Sequence, residues 1–359
     1  MDTVEAVSFS AEFSPPRTPL VLLAARRAAV ATPGDVAAAL HTAVLLGQEG
    51  ALVGQGSTAA LWEALATTAS ADLGAARAIE PHLDALAILD QAGQGEVWDA
   101  AAAATRTWGV FAAEGTEPLR ATVTAAGWQL DGLKPWCSLA DRLDAALITA
   151  TDARGERHLF AVELGHAGVE VVPGSWHARG LSEIPSGPVR FTAVPAVEVG
   201  EPGWYLRRAG FSWGGIGVAA CWFGGAVGVA RTVFAAAVKR EDPDRLLLMH
   251  LGAIDERLQS VRRALAEAAR LVDAGRAEGV PGKLLAKRVR ATVADACENI
   301  LQRAGHALGP ALLAQNPNDS KRVADLQLYI RQHHAERDEA SLGEALIRDA
   351  LTREETAPW

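Results

Sequence analysis

The chain has no C-x-x-C pair. Its three cysteines, Cys137, Cys221 and Cys297, are odd in number and far apart. That argues against a disulfide framework and against a zinc cluster, and all three are read as buried free thiols in a reducing cytoplasm. No Lys/Arg block reaches the length of a nucleic-acid arm, and the formal net charge is −9, so a general polyanion binder is not expected. The opening stretch "MDTVEAVSFSAEFSPPRTP" lacks the basic start and apolar core of a secretion signal. Internal repeats and low-complexity tracts are absent too. Aromatics are scarce, 6% of residues against 49% hydrophobic overall. Packing therefore falls to Ala, Leu and Val, as in closely packed helices.

What is present divides the 359 residues into more than one core. From about 19 to 106 the spacing is helical: Thr32 can cap a helix near Asp35, and Leu61, Leu65, Leu73, Ala76, Ile79, Leu83, Leu86 and Leu89 form a stripe with one gap at 67–70. From 107 to 203 the pattern shifts to period two and short runs. Asp131-Gly132 reads as a hairpin turn, because Gly accepts the positive φ of a type I′ turn, and "AALITA" and "HLFAV" flank a polar turn. From 204 to 350 helices return. Leu251, Ile254, Leu258, Val261, Leu265, Ala268 and Val272 step by three and four, "GVPGK" stops that helix, and Asp319 or Ser320 opens the last long one. Residues 351–359 read as a tail. The expected class is α+β, mainly α: an N-terminal helical domain (1–106), a small middle β-barrel or sandwich (107–203) and a C-terminal four-helix bundle (204–350).

Phe211 to Ala230, "FSWGGIGVAACWFGGAVGVA", is an uncharged run of membrane-spanning length. Its glycines suit close helix contacts, and it is read as a buried central helix rather than a membrane span. "GFSWG" matches G-x-S-x-G around Ser212, but no parallel βα pattern surrounds it. Gly215-x-Gly217-x-x-Ala220 mimics a dinucleotide fingerprint with no strand before it. Both are read as helix-packing features.

Several stretches, taken in order, resemble the acyl-CoA dehydrogenase family of flavoproteins: "ARAIEPHLDALAIL", "LDGLKPWCSLADRLDAALITA", "SWHARGLSEIPSGPVRFTAVPAVEVGEPGW" and "CWFGGAVGVARTVFAAAVKR". The resemblance implies an FAD-dependent oxidoreductase that introduces an α,β double bond into an acyl-CoA or similar small substrate. It implies a homo-oligomer, or a hetero-oligomer with a related subunit. Trp136 would lie against the flavin ring and Ser138 would bond its hydride-accepting nitrogen. Arg240 would reach the cofactor diphosphate, and Gln302 and Gly305 would lie against its adenine half. Departures from the pattern are Asp242 and Pro243 after Arg240, His306 in place of a glycine, and an altered 110–118 loop.

The family's α-proton base, a Glu, falls by this placement on Gln332, which cannot accept a proton. The alternative base position on the first bundle helix gives Val218 and Ala219. His333 and His334 follow Gln332, and imidazole is a credible base near neutral pH. Both are also read as ordinary residues of a charged run, "HHAERDE". The readings left open are altered flavin chemistry using a histidine, a degenerate subunit completed by a competent partner, and a flavin monooxygenase, which needs no α-base.

Overall fold

The structure is a computed structural model, and it describes residues 4–12, 17–93 and 105–353; the expectations for the first residues and for most of the tail lie outside them. Helices α1 (Pro19–Val30), α2 (Val36–Gln48), α3 (Thr58–Ala71) and α4 (Leu73–Gln91) come first. The cap of α2 is Asp35, which accepts from Ala38 N, not Thr32. A carboxylate three residues further on, directly before the first helical residue, reaches the free N–H of Ala38. The gap at 67–70 is the buried end of α3, and Asp72 breaks the chain there. Asp72 caps α4 through Gly74 N and also accepts from Gly34 N at 2.7 Å.

Seven strands follow: β1 (Trp108–Phe111), β2 (Arg120–Thr124), β3 (Gly127–Lys134), β4 (Ala145–Thr151), β5 (Arg157–Glu163), β6 (Val169–Val171) and β7 (Val189–Glu198). Antiparallel pairings link β2 to β3, β3 to β7, β7 to β5 and β5 to β4; a single parallel pairing, Arg120 with Thr151, returns β2 to β4. The sheet thus closes into a barrel, with β1 added parallel to β4 and β6 along β7. Strand β4 is buried along six successive residues. One face fills the barrel; the other, Ala145 and Leu147, packs with Ala85, Ile88 and Leu89 of α4. That double burial explains its unbroken apolar run.

Asp131-Gly132 is not a hairpin turn. Strand β3 continues through it, and the register slips between Leu130 and Gly132. Gly132 has φ +125°, and Asp131 Oδ1 accepts from Ala193 N of β7 at 2.8 Å. The positive φ is used for a bulge that bends the barrel wall.

After the barrel come the short α5 (Trp204–Arg207), α6 (Ala209–Val238), α7 (Arg245–Asp273), α8 (Gly279–Leu308), the short α9 (Ala311–Ala314), α10 (Pro317–Tyr329) and α11 (Glu336–Arg353). Helix α6 is central, touching α3, α4, α7, α8 and α10. It alone among the described residues is long and apolar enough to cross a membrane, and two thirds of that window, 67%, is buried in the fold. A Cβ on Gly224 would lie 2.3 Å from Ala66 O, and one on Gly228 would lie 2.6 Å from Ser70 O. These glycines let α3 and α6 touch backbone to backbone. Ser212 lies in the first turns of α6 with no strand before it, so no nucleophile elbow forms.

The stripe on α7 is as read: Ile254, Val261, Leu265, Ala268 and Val272 are buried, with Leu251 and Leu258 packed against the same core. "GVPGK" does not end α7 but opens α8; the stop is Gly275, at φ +66°. Helix α10 starts at Pro317, earlier than Asp319, because Asn316 caps it through Asn318 N and Asp319 N. All three cysteines are free and buried.

Candidate active site

Lys134 ends β3 with its side chain only 1% exposed. Its Nζ donates to Thr149 O and Thr149 Oγ1, each at 2.7 Å, and meets Glu114 Oε1 of the 110–118 loop at 3.3 Å. That anchor fixes the chain just before Trp136. Two backbone bonds fix it just after: Cys137 N to Gly187 O and Leu139 N to Pro185 O. Between these restraints Trp136 and Leu139 are forced to φ +59° and +58°, a costly region for bulky residues. The result inverts a plain strand reading. Trp136 is 61% exposed, whereas Ser138 is buried at 8%.

Ser138 Oγ accepts from Arg77 Nη2 of α4 at 2.8 Å and shares a proton with Ser186 Oγ at 2.7 Å. A crevice of about 10 Å³ lies here, lined by Arg77, Pro81, Trp108, Phe111, Ser138 and Leu143, room for about one water molecule.

Arg77 leads into a chamber of closely packed polar side chains among α4, α6, α8 and the end of α10, filled by those side chains themselves, with Trp222 and Tyr329 fully buried. Its guanidinium carbon lies 5.6 Å from the ring centre of Tyr329, and Tyr329 meets Trp222 edge-on at 6.3 Å. Arg290 of α8 covers Trp222 at 4.7 Å and donates to Gly215 O at 2.7 Å and Gln332 O at 3.0 Å. Glu80 is buried within electrostatic reach of Arg77, Arg290 and Asp84. Burial, and next the negative Asp84, push its carboxyl up to about 8. Burial also raises Asp84, against the opposing pull of Arg208, whose Nη2 is 3.6 Å from Asp84 Oδ1. His82, two residues after Glu80 and facing Gly47 of α2, is held down to about 4 by burial. The Trp222 Nε1, Tyr329 hydroxyl and His333 Nε2 atoms are buried and have no hydrogen-bond partner among the described residues. Unpaired donors are costly inside a protein and mark places where a further group is needed.

Helix α10 stops at Tyr329, and a 3₁₀ turn, Ile330–Gln332, carries the chain on. Gln332 is exposed, and its carbonyl is what Arg290 holds. His333 turns inward, 7% exposed, while His334 faces outward. Burial lowers the His333 pKa, with Asp338, 3.9 Å from its Nε2, opposing. Among the sequence candidates, then, Trp136, Ser138 and His333 border the chamber or its mouth. Arg240, Gln302, Gly305 and His306 lie elsewhere. Arg240 is exposed and pairs with Asp244 at 3.3 Å; Gln302 and His306 are on the surface of α8, His306 5.8 Å from the His250 ring. Arg77, Glu80, Asp84, Arg290 and Tyr329 were not singled out in the sequence. The available signal was Arg77, Glu80 and Asp84 at spacings of three and four along an otherwise apolar helix.

No family model and no curated protein matches the sequence. Solved structures do resemble it. FMN-bound TdsC, the dibenzothiophene monooxygenase of Paenibacillus sp. A11-2, is 19% identical with a TM-score of 0.74, covering 90% of this chain and 93% of that one. Butyryl-CoA dehydrogenase from Megasphaera elsdenii is 17% identical with a TM-score of 0.79, covering 93% and 100%. Glutaryl-CoA dehydrogenase from Mycobacterium smegmatis is 18% identical with a TM-score of 0.69, covering 81% and 82%. The chain has the acyl-CoA dehydrogenase fold.

Proposed function

We propose that the protein is a flavin-dependent oxidoreductase on this scaffold, acting on a small polar molecule or a short acyl thioester. The observation that carries the reading is the join between two features. Trp136 and Ser138 offer an exposed aromatic face beside a buried hydroxyl, and the chamber behind them contains buried polar atoms with no partner among the described residues.

The residues at the ring end fit a flavin. The indole of Trp136 is a free planar face held in a strained backbone, and the Ser138 hydroxyl suits a ring nitrogen. The group standing in the way is the Arg77 guanidinium, the end of a flexible side chain. When bound, the flavin would supply a two-electron acceptor. FAD, as the resemblance implies, is the proposed form; Arg240, Gln302 and Gly305 are the candidates for its far end. Asp242 and Asp244 beside Arg240 weaken that end.

The chain's own residues would do the rest. Arg290 and Trp222 hold the polar part of the substrate, and Tyr329 closes the chamber wall. His333 Nε2, neutral near pH 7 because burial lowers its pKa, is the proposed proton acceptor in place of Gln332. A long acyl chain is disfavoured, since Arg77 and Arg290 would bury charge against it. Exposed apolar residues at the turn between α6 and α7, including Phe234, Val238, Leu246 and Met249, support an oligomer, of like or related subunits.

A second reading, a degenerate subunit that needs a competent partner, is favoured by one observation: Arg77 occupies the Ser138 hydroxyl. The test is the visible spectrum of the purified protein, before and after FAD or FMN is added and the sample desalted. A retained flavin band supports the oxidoreductase; a colourless protein that refuses both flavins overturns it in favour of the degenerate subunit.

A further inference from the structure

The turn joining β4 to β5, "TDARGERH", lies on the barrel, apart from the helical chamber. Asp152 builds it. Its Oδ1 accepts from Arg154 N at 2.9 Å and Glu156 N at 2.8 Å, and its own N–H donates to Glu156 O at 3.0 Å. The other oxygen, Oδ2, is left facing His158, whose Nε2 is 3.6 Å away. His158 is 4% exposed and packs between Trp128, at 5.1 Å, and Phe160, at 5.7 Å. Its Nδ1 is 2.5 Å from Glu198 Oε1 of β7. Its Nε2 is buried and has no hydrogen-bond partner among the described residues. One ligand atom each from Asp152, Glu156 and His158 lies within 4.8 Å of the others.

We propose that Asp152, Glu156 and His158 form a binding site for a divalent transition cation, with Zn²⁺ preferred. Several observations converge on it. Nδ1–H donates to Glu198 Oε1, which fixes the tautomer and turns the Nε2 lone pair toward the two carboxylates. A carboxylate behind a ligating imidazole is the usual support of such a ligand. Asp152 can give Oδ2 to a cation without releasing the turn, which uses only Oδ1. Glu156 is exposed and free to swing in. Donors around a tetrahedral Zn²⁺ stand about 3.3 Å apart, as bond lengths of about 2 Å dictate, so side-chain rotation suffices to close the triad. Water completes the shell. The imidazole selects against Mg²⁺ and Ca²⁺, which prefer an all-oxygen set. The bound ion would pin the β4–β5 turn to β7 through Glu198. This site is independent of the flavin reading.

The test is calorimetric titration of Zn²⁺ into the chelator-stripped full chain, beside a thermal melt. The wild-type protein is expected to bind one Zn²⁺ with micromolar or tighter affinity, to melt at a higher temperature with the ion, and to ignore millimolar Mg²⁺. His158→Gln, and separately Asp152→Asn combined with Glu156→Gln, should each weaken that binding at least tenfold. The double variant keeps an oxygen acceptor for the turn and changes no buried side chain, so the fold survives to be measured. An absence of saturable binding overturns the proposal. So does Zn²⁺ binding that the double variant leaves unchanged, which would assign the ion to another place such as the His250–His306 pair. Equal affinity for Mg²⁺ also overturns it, because the imidazole would then take no part.

Discussion

Arg77 and Ser138 meet at 2.8 Å across the seam between α4 and the barrel. The bond joins the helical domain to a buried hydroxyl beside the exposed Trp136, and under the proposed function the Arg77 guanidinium competes with a flavin for that hydroxyl. Arg77→Met keeps the stem and removes the donor. A charge-assisted hydrogen bond is worth about 1.5–3 kcal/mol, so flavin affinity is expected to rise by roughly tenfold or more, read from quenching of flavin fluorescence. Ser138→Ala should weaken it instead.

Glu80 binds a proton in the folded state over a range where the unfolded chain has lost it. Its pKa is raised from 4.5 to about 8, so its contribution to stability is present below the lower value and falls as pH climbs to the upper one. His82 works in the opposite sense, losing stability as pH falls from 6.5 towards about 4. The window above pH 6.5 therefore reports Glu80 alone of the two. Between pH 6.5 and 8 the wild-type melting temperature should drop, and Glu80→Gln should flatten that slope and melt higher at pH 8. The full effect is on the order of 5 kcal/mol.

Gly224 admits no Cβ, since the nearest atoms are Ala66 O at 2.3 Å and Ala66 Cα at 2.7 Å. Both belong to a backbone that cannot step aside. Gly224→Ala should cost about 1–3 kcal/mol by overpacking and lower the urea midpoint with the m-value unchanged, despite the better helix propensity of alanine.

Lys321 of α10 serves three carboxylates: Asp72 at 2.9 Å, Glu183 at 2.6 Å and Asp325 at 2.5 Å. They come from the α3–α4 break, the loop before β7, and α10 itself. Lys321→Met would leave the three negative groups crowded and unpaired, with an expected loss of about 3–5 kcal/mol in denaturant unfolding.

His333 and His334 are adjacent in the chain and opposite in exposure, 7% and 58% for their side chains. Under the proposed function His333→Ala should lower kcat at least a hundredfold, the usual reach of general base catalysis, while His334→Ala leaves turnover within twofold. Steady-state kinetics with any accepted substrate decides it.

The parts of the fold legible in the sequence are those set by neighbours three or four residues away. The α7 stripe and the uncharged run 211–230 of α6 are such cases. The bulge at Asp131-Gly132 was misread because a positive φ at glycine serves a turn or a bulge equally. Only the Asp131 bond to Ala193, sixty-two residues away, selects between them. The chamber was hidden for a similar reason. Periodicity places Arg77, Glu80 and Asp84 along one helix, but their burial depends on Arg208 and Arg290, brought in from distant helices. Trp136 and Ser138 were found by resemblance, yet their exposures follow from a left-handed backbone that no local pattern announces.

The glycine contact between α3 and α6 also bears on how the protein can breathe. Two helices locked backbone to backbone have no side-chain cushion to slide on, so their amides should exchange with solvent only through unfolding of the whole helical body. The 330–335 connector, with its 3₁₀ turn and Ala335 at φ +47°, has no such partner. In deuterium its amides should be among the first to exchange and those of α6 among the last, which makes the connector, rather than the keel of the molecule, the part that yields first.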